Sequence, residues 1–169
     1  VTRIVGKKGF VAYVYGLGPK CNLTTETLRI SAAAVAKSCI ADKIDSVTFL
    51  LPIEAKENVM SQAASEGMVL GSYQFNEFKS KKDDLFELRH ASIVGGNKKA
   101  VERGAIIGNS VCFARDLENR PGNIATPSHL ADNAIEIGNS SDVKVTVFDR
   151  DKFTKMGMGA LAGVASGTD

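Results

Sequence analysis

Ala114-Arg-Asp-Leu-Glu-Asn-Arg-Pro-Gly-Asn-Ile-Ala-Thr-Pro127 divides this chain. It reads as the end of one long helix, a tight turn and the start of another helix. Arg115, Asp116, Glu118 and Arg120 crowd the last helical turn. Pro121-Gly122 suits the two central positions of a type II turn, because proline presets φ and glycine tolerates φ > 0. Thr126 offers a side-chain oxygen as N-cap, and Pro127 stands where a missing N–H costs nothing. Two readings fit these residues: a capped helix–turn–helix connection, or a hinge between two domains.

Upstream of this stretch, strand and helix patterns alternate. Phe10 to Tyr15 is rich in β-branched and aromatic residues and reads as a strand. From about Thr25 to Asp42 the apolar positions Leu28, Ala32, Val35, Ala36 and Cys39 recur at helical spacing, with Arg29 and Lys37 on the wet side. Ser46 to Leu51 is a second strand, stopped by Pro52. A helix is expected from roughly Glu54 to Lys79, with Ala64, Met68, Gly71, Tyr73, Phe75 and Phe78 largely buried. Lys79 to Asp84 reads as a polar surface turn, and Leu85 to Val94 as a third strand with Leu88, His90 and Ser92 on one face. Gly95-Gly96-Asn97 turns the chain into a long helix, about Lys98 to Leu117, whose buried side is marked by Gly104, Gly108, Val111 and Cys112. Downstream, a helix (Pro127 to Ile137), a strand (Val143 to Phe148) and a short helix from about Lys152 follow. Strands alternating with helices at this spacing imply an α/β layer fold with a mostly parallel or mixed sheet.

Composition narrows the class. The chain has 169 residues, 44% hydrophobic and 24% charged, an ordinary soluble globular balance. That length supports a real core. A formal net charge of +2 gives no electrostatic case for nucleic acid or an anionic membrane. The three cysteines, Cys21, Cys39 and Cys112, are far apart and form no CxxC or Cys/His cluster, so neither a disulfide framework nor a zinc site is indicated. Cys39 and Cys112 fall in apolar helical patterns and read as buried thiols, which suits a reducing, cytoplasmic compartment. No apolar run approaches a membrane span. Val1-Thr-Arg-Ile-Val-Gly-Lys-Lys lacks the apolar core of a signal peptide, so the sequons at Asn22 and Asn139 are expected to be chance matches.

Several short patterns invite a chemical reading. Gly157-Met-Gly159-Ala-Leu-Ala162 matches GxGxxA, a dinucleotide fingerprint that requires a strand running into it and a helix opening from it. Gly95-Gly96-Asn97 lies between a strand and a helix N-terminus, where backbone N–H groups can hold a phosphate; the plainer reading is an αL turn capped by Asn97. Gly16-Leu-Gly18-Pro-Lys20 lacks the rest of a P-loop and reads as a turn. Ser128, His129 and Asp132 are close in sequence, but a catalytic triad converges from separate elements. Asp42, Asp45 and Asp149 show no paired spacing for acid–base work. We assign no catalytic, cofactor-binding or metal-ligating residue within the chain on these patterns.

The opening stretch resembles the Ala-Arg-Asp-Leu-x-Asn-x-Pro-x-Asn-x-x-Thr-Pro segment of the leucine aminopeptidase (cytosol aminopeptidase) family. The resemblance continues through Leu130-Ala131, Val143-Lys-Val-Thr-Val-Phe-Asp149 and Met156-Gly-Met-Gly-Ala-Leu161. Upstream, Glu66-Gly-Met-Val-Leu-Gly-Ser-Tyr-Gln-Phe75 and Lys79-Ser80 are similar to the helix of the family's N-terminal domain. Agreement runs from about Leu28 to the end.

The resemblance implies a macro-like N-terminal α/β domain with a mixed sheet flanked by helices (residues 1–116), an inter-domain linker (117–126) and the start of an incomplete α/β catalytic domain (127–169). It implies a parent metallopeptidase that removes N-terminal residues, often leucine, from peptide substrates, uses two divalent ions (manganese or zinc) and assembles as a hexamer. A two-metal aminopeptidase must polarise the scissile carbonyl and generate hydroxide near neutral pH. The family's ligands, carboxylates and a lysine, follow the Gly-Met-Gly segment, so none is expected before Asp169, and this polypeptide by itself is expected to be inactive. Its expected role is assembly and domain positioning. Some bacterial members bind DNA, for which Lys7-Lys8, Lys79, Lys81-Lys82 and Lys98-Lys99 are the local basic candidates. The alternative is a free-standing macro-like module binding a nucleotide or ADP-ribose at Gly95-Gly96-Asn97.

Overall fold

The computed structural model describes residues 2–6, 10–52, 58–81 and 85–167. The chain divides into two compact units, Val1–Asn119 and Arg120–Asp169.

The first unit begins with a hairpin. Strand β1 (Thr2–Val5) pairs antiparallel with β2 (Val11–Val14), Thr2 opposite Val14 and Val5 opposite Val11. Nothing in the sequence reading anticipated β1; its β-branched Thr2, Ile4 and Val5 are the signal, short enough to pass for a terminus. A 3₁₀ turn at Lys20–Asn22 leads to helix α1 (Thr25–Ala41). Thr24 caps α1, its side chain accepting from the Thr27 N–H at 3.1 Å. The five apolar positions read from the spacing, Leu28, Ala32, Val35, Ala36 and Cys39, are all buried.

Strand β3 (Ser46–Leu50) and strand β4 (His90–Val94) pair in parallel, Ser46 opposite His90 and Leu50 opposite Val94. Alternation then sorts the side chains. Val47, Phe49 and Ile93 pack on the core, whereas Leu50 is 70% exposed and Val94 51% exposed. The expected mixed sheet thus consists, among the described residues, of two separate two-stranded pieces. The parallel pair keeps one apolar and one open face rather than reading as strands buried on both sides. Residues 85–89 do not extend β4, so the third strand is five residues long and Leu88 reaches the core from the segment before it.

Between β3 and β4 runs helix α2 (Asn58–Ser72). It ends seven residues before the expected Lys79; the expected start at residues 54–57 lies outside the described residues, as do Lys82 to Asp84. Ser72 Oγ turns back onto the Val69 carbonyl at 2.9 Å, and Gln74 Nε2 donates to the Phe86 carbonyl at 2.8 Å. These side-chain bonds offer the chain an alternative to another helical turn. Phe78 lies in the segment beyond and is 49% exposed, not buried as its sequence position suggested. Helix α3 (Lys98–Asn119) follows β4.

Helices α1, α2 and α3 pack in sequence, and glycine sets the two contacts. A Cβ at Gly67 would stand 2.1 Å from the Arg29 carbonyl oxygen, and one at Gly71 would stand 2.4 Å from Ala33 Cα. On the other side of α2, a Cβ at Gly104 would stand 2.4 Å from the Gln62 carbonyl oxygen. Backbone therefore touches backbone, and Ser65 Oγ reaches across to donate to the Val101 carbonyl at 2.7 Å. Of the four positions expected on the buried side of α3, Gly104 and Gly108 are buried, Cys112 is half-buried and Val111 is 38% exposed. The α2 contact ends before Val111, because α2 itself stops at Ser72.

One polar bridge crosses the α1–α2 seam. Glu66, nearly buried, accepts from Arg29 Nε at 2.8 Å and from Gln62 Nε2 at 2.7 Å. Arg29 also pairs with Glu26 on its own helix. With Arg29 Nη2 also 2.7 Å from Glu66 Oε2, three donors satisfy a carboxylate that burial alone would disfavour.

In the second unit, α4 (Pro127–Asn139) is followed by α5 (Arg150–Lys155) and α6 (Gly159–Ala165). Residues 143–148, expected as a strand, form none. Among the described residues they have no partner strand, and a strand without a ladder leaves its backbone groups unpaired. Val145 instead packs on Gly138, where a Cβ would stand 2.8 Å from its Cγ2.

Candidate functional site

The polar residues of the dividing stretch are used as fastenings within each unit. In the first unit, Tyr73 lies just beyond α2 and its hydroxyl meets the last turn of α3. It donates to Asp116 Oδ1 at 2.8 Å and accepts from Asn119 Nδ2 at 3.1 Å. The Arg115 guanidinium stands over the same ring, 5.5 Å from its centroid. Burial, and then the bond to Asp116, push the Tyr73 hydroxyl pKa above its ordinary value. Sequence reading had placed Arg115 and Asp116 in a crowded helix end without finding their partner. Tyr73 lies 43 residues from Asp116, so only the α2–α3 packing brings them together.

In the second unit, the turn takes a different form from the one expected. The Pro121 carbonyl accepts from Ile124 N at 2.8 Å and from Ala125 N at 2.9 Å. This is a short helical turn, and Gly122 is absent from the glycines with positive φ, so no type II turn forms. Thr126 does cap α4, accepting from the His129 N–H at 3.2 Å, and Pro127 occupies the first turn.

His129 is held on both sides of its ring nitrogen. Arg120 Nη1 lies 2.8 Å and Asn133 Nδ2 3.2 Å from Nε2. A guanidinium can only donate, so Nε2 is the acceptor in this contact. That leaves the imidazole committed to Arg120 and Asn133, not to Ser128 or Asp132, and the local Ser-His-Asp pattern is not assembled as a triad.

The other sequence candidates resolve similarly. Asp42 accepts from Tyr13 Oη at 2.5 Å and from Arg3 Nε at 2.8 Å, tying the hairpin to the end of α1. Burial first, then the Asp42 carboxylate, push the Tyr13 pKa up to about 12. Asp149 caps α5 through the Lys152 N–H at 2.8 Å. Asp45 contributes its carbonyl, which accepts from the N–H groups of Arg89 and His90 at 2.9 and 3.0 Å. His90 is exposed at the start of β4.

At Gly95-Gly96-Asn97 the capped turn prevails. Asn97 Oδ1 accepts from the Ala100 N–H at 3.1 Å, and the Asn97 N–H donates to Ser61 Oγ at 3.1 Å. Gly95 takes a φ of 87°, and a Cβ at Gly96 would stand 2.9 Å from Leu51 Cδ1. The N–H groups of Asn97 and Ala100 are thus engaged by the protein itself. Gly157 has a φ of 78°, but helix α5, not a strand, precedes it, so the dinucleotide geometry is not built. Cys39 is buried, and burial pushes its thiol pKa up, while Cys21 is exposed. Among the described residues, no three His, Cys, Asp or Glu side chains converge as metal ligands do, so these residues do not fit a metal pair. Also among them, no helix is long and apolar enough to cross a membrane.

Known proteins supply the context for these fastenings. The N-terminal domain of the cytosol aminopeptidase family matches residues 5–82, and the catalytic domain of the same family matches residues 112–169. A probable cytosol aminopeptidase of Bdellovibrio bacteriovorus is 38% identical over 180 aligned residues, covering 100% of this chain and 36% of the relative. Another, from Aquifex aeolicus, is 32% identical over 158 residues, covering 92% of this chain and 32% of the relative. The chain thus spans about a third of the length of these curated relatives. Among solved structures, the bottromycin maturation enzyme BotP in complex with Mn is similar with a TM-score of 0.78 at 26% identity, covering 92% of this chain and 34% of that one. Two domains of one family match in order along the sequence, and relatives aligned over 92–100% of this chain carry the same description: the chain belongs to the cytosol aminopeptidase family.

Proposed function

We propose that residues 1–169 are the N-terminal region of a two-metal leucyl aminopeptidase, a hydrolase that removes N-terminal amino acids from peptides. The observation that carries this reading is the ordered match of both family domains, at 5–82 and 112–169. In this reading residues 1–116 form a macro-like N-terminal domain, 117–126 link it onward, and 127–169 begin a catalytic domain whose ligands come from polypeptide beyond this chain. The metal pair, manganese or zinc, belongs to that later segment, in keeping with the Mn complex of BotP. Residues 1–169 then serve assembly, as a cytoplasmic hexamer, and domain positioning rather than bond cleavage. DNA binding by the basic clusters is a weaker part of the same proposal, and Lys7, Lys8 and Lys82 lie outside the described residues.

The fastenings support a positioning role. Tyr73 holds Asp116 and Asn119 at the end of α3, and Thr126 fixes the start of α4. Arg115, Asp116 and Arg120 of the dividing stretch each have a structural partner within their own unit. The test is to express the complete open reading frame that contains residues 1–169, supply Mn²⁺ and assay hydrolysis of leucyl-p-nitroanilide. Turnover by the long product, with none by residues 1–169 alone, supports the proposal. A long product that binds Mn²⁺ and cleaves no N-terminal residue overturns it.

A further inference from the structure

We propose that the first unit holds a vacant strand position between β2 and β3, filled in the longer protein by an extended, uncharged segment of the same polypeptide from outside residues 1–169. This inference rests on the family reading above, which makes the chain part of a longer protein.

The geometry comes from a hollow of about 600 Å³ between the two strands. It is lined by successive residues, 10–13 on one side and 46–50 on the other. Side chains alternate between the two faces of a strand, so a hollow bordered by successive residues runs along the strand's edge. Each strand has a neighbour on one side only among the described residues, β2 on β1 and β3 on β4. Two free edges therefore face one hollow. Ser31, Val35 and Cys39 of α1 form part of its floor.

The size fits one strand. Four residues at a rise of about 3.3 Å, with 4.8 Å between strands and 10 Å across a sheet, fill roughly the same volume. The chemistry fits as well. No charged side chain stands among the lining residues, which combine apolar groups with the hydroxyls of Tyr13, Ser31, Ser46 and Thr48. An occupant would gain main-chain hydrogen bonds from both edges and set alternate apolar side chains toward α1, the mode by which sheets accept an added strand. It would join the hairpin and the parallel pair into one five-stranded sheet. Free edges facing a hollow otherwise invite pairing with foreign chains.

The source is the same polypeptide because the curated relatives are about three times as long as the portion this chain spans. An intramolecular strand also enjoys a high effective concentration, which a four-residue segment in trans lacks.

Amide hydrogen exchange tests this directly. It is measured on peptides covering residues 10–15 and 46–50, in the 1–169 polypeptide and in the complete gene product. The expected result is slower exchange of both segments in the longer protein, by about ten-fold or more. Equal exchange in the two proteins overturns the proposal, as does an open reading frame that adds no residues outside 1–169. Protection that rises with the concentration of the 1–169 polypeptide overturns the source, because a second copy then fills the hollow. Leucyl-p-nitroanilide hydrolysis is read on the same long sample. Activity with unchanged exchange sinks the strand and spares the family reading; slowed exchange without activity does the reverse.

Discussion

Tyr73 shows how single side chains organise this protein. Its hydroxyl is the shared partner of Asp116 and Asn119, so Tyr73→Phe leaves both polar groups short of a bond. We expect a loss of about 1–2 kcal/mol, read as a lowered denaturant midpoint with an unchanged slope. Tyr13 carries a pH prediction. Its folded pKa is raised to about 12 from 10.0, so the folded state favours the protonated phenol. That contribution is fully present below pH 10 and is lost as pH rises through 12. Stability of the wild type should therefore fall more steeply between pH 10 and 12 than that of Tyr13→Phe, measured by denaturation across that range. The sequence showed the crowded charges at Arg115 and Asp116, and it showed Thr126 as a cap. It could not show Tyr73 as their partner, because that pairing exists only once α2 and α3 are packed. The turn at Pro121-Gly122 failed for a local reason: proline at the first position also suits a helical turn, and backbone bonds from Ile124 and Ala125 selected it.

At the scale of elements, glycine governs the helix seams and marks where change is tolerated. Gly71→Ala places a methyl group 2.4 Å from Ala33 Cα, and the helices must separate to admit it. We expect destabilisation of about 1–3 kcal/mol. Gly163→Ala, in α6 with open space around the added methyl, should be neutral or stabilising by up to about 1 kcal/mol, since alanine favours helix. Thermal melts of the two variants check both signs. Helices α1 and α3 were legible because their apolar and small residues recur at helical spacing. Strands β2, β3 and β4 were legible as apolar runs, but their pairing was not. Residues 143–148 carry as good an alternation as β3, and they remain unpaired because strand formation depends on a neighbour that local sequence does not specify. Strand β1 was overlooked for the converse reason: four residues suffice once β2 is there to receive them.

For the molecule as a whole, the match to the family's N-terminal domain ends at residue 82 and the match to its catalytic domain begins at residue 112, within α3, whereas the two compact units divide between Asn119 and Arg120. Composition and spacing alone reached an α/β protein and stopped there, since no residue pattern in the sequence specified a reaction. The family became legible from the order of whole motifs, which physical reading of single residues does not recover. The second unit exposes much apolar surface, with Val164 83%, Val143 58% and Leu161 50% exposed. Under the proposed function, the remainder of the catalytic domain packs against part of this surface. We therefore expect the 1–169 polypeptide to bind a hydrophobic dye such as ANS more strongly per chain than the complete gene product does. The central claim is that residues 1–169 position a catalytic domain without containing its metal site. It is tested by measuring manganese and zinc in the purified 1–169 polypeptide after equilibration with each ion and dialysis. The account predicts metal well below one ion per chain; a stoichiometry of about two ions per chain, as a two-metal site would hold, would contradict it.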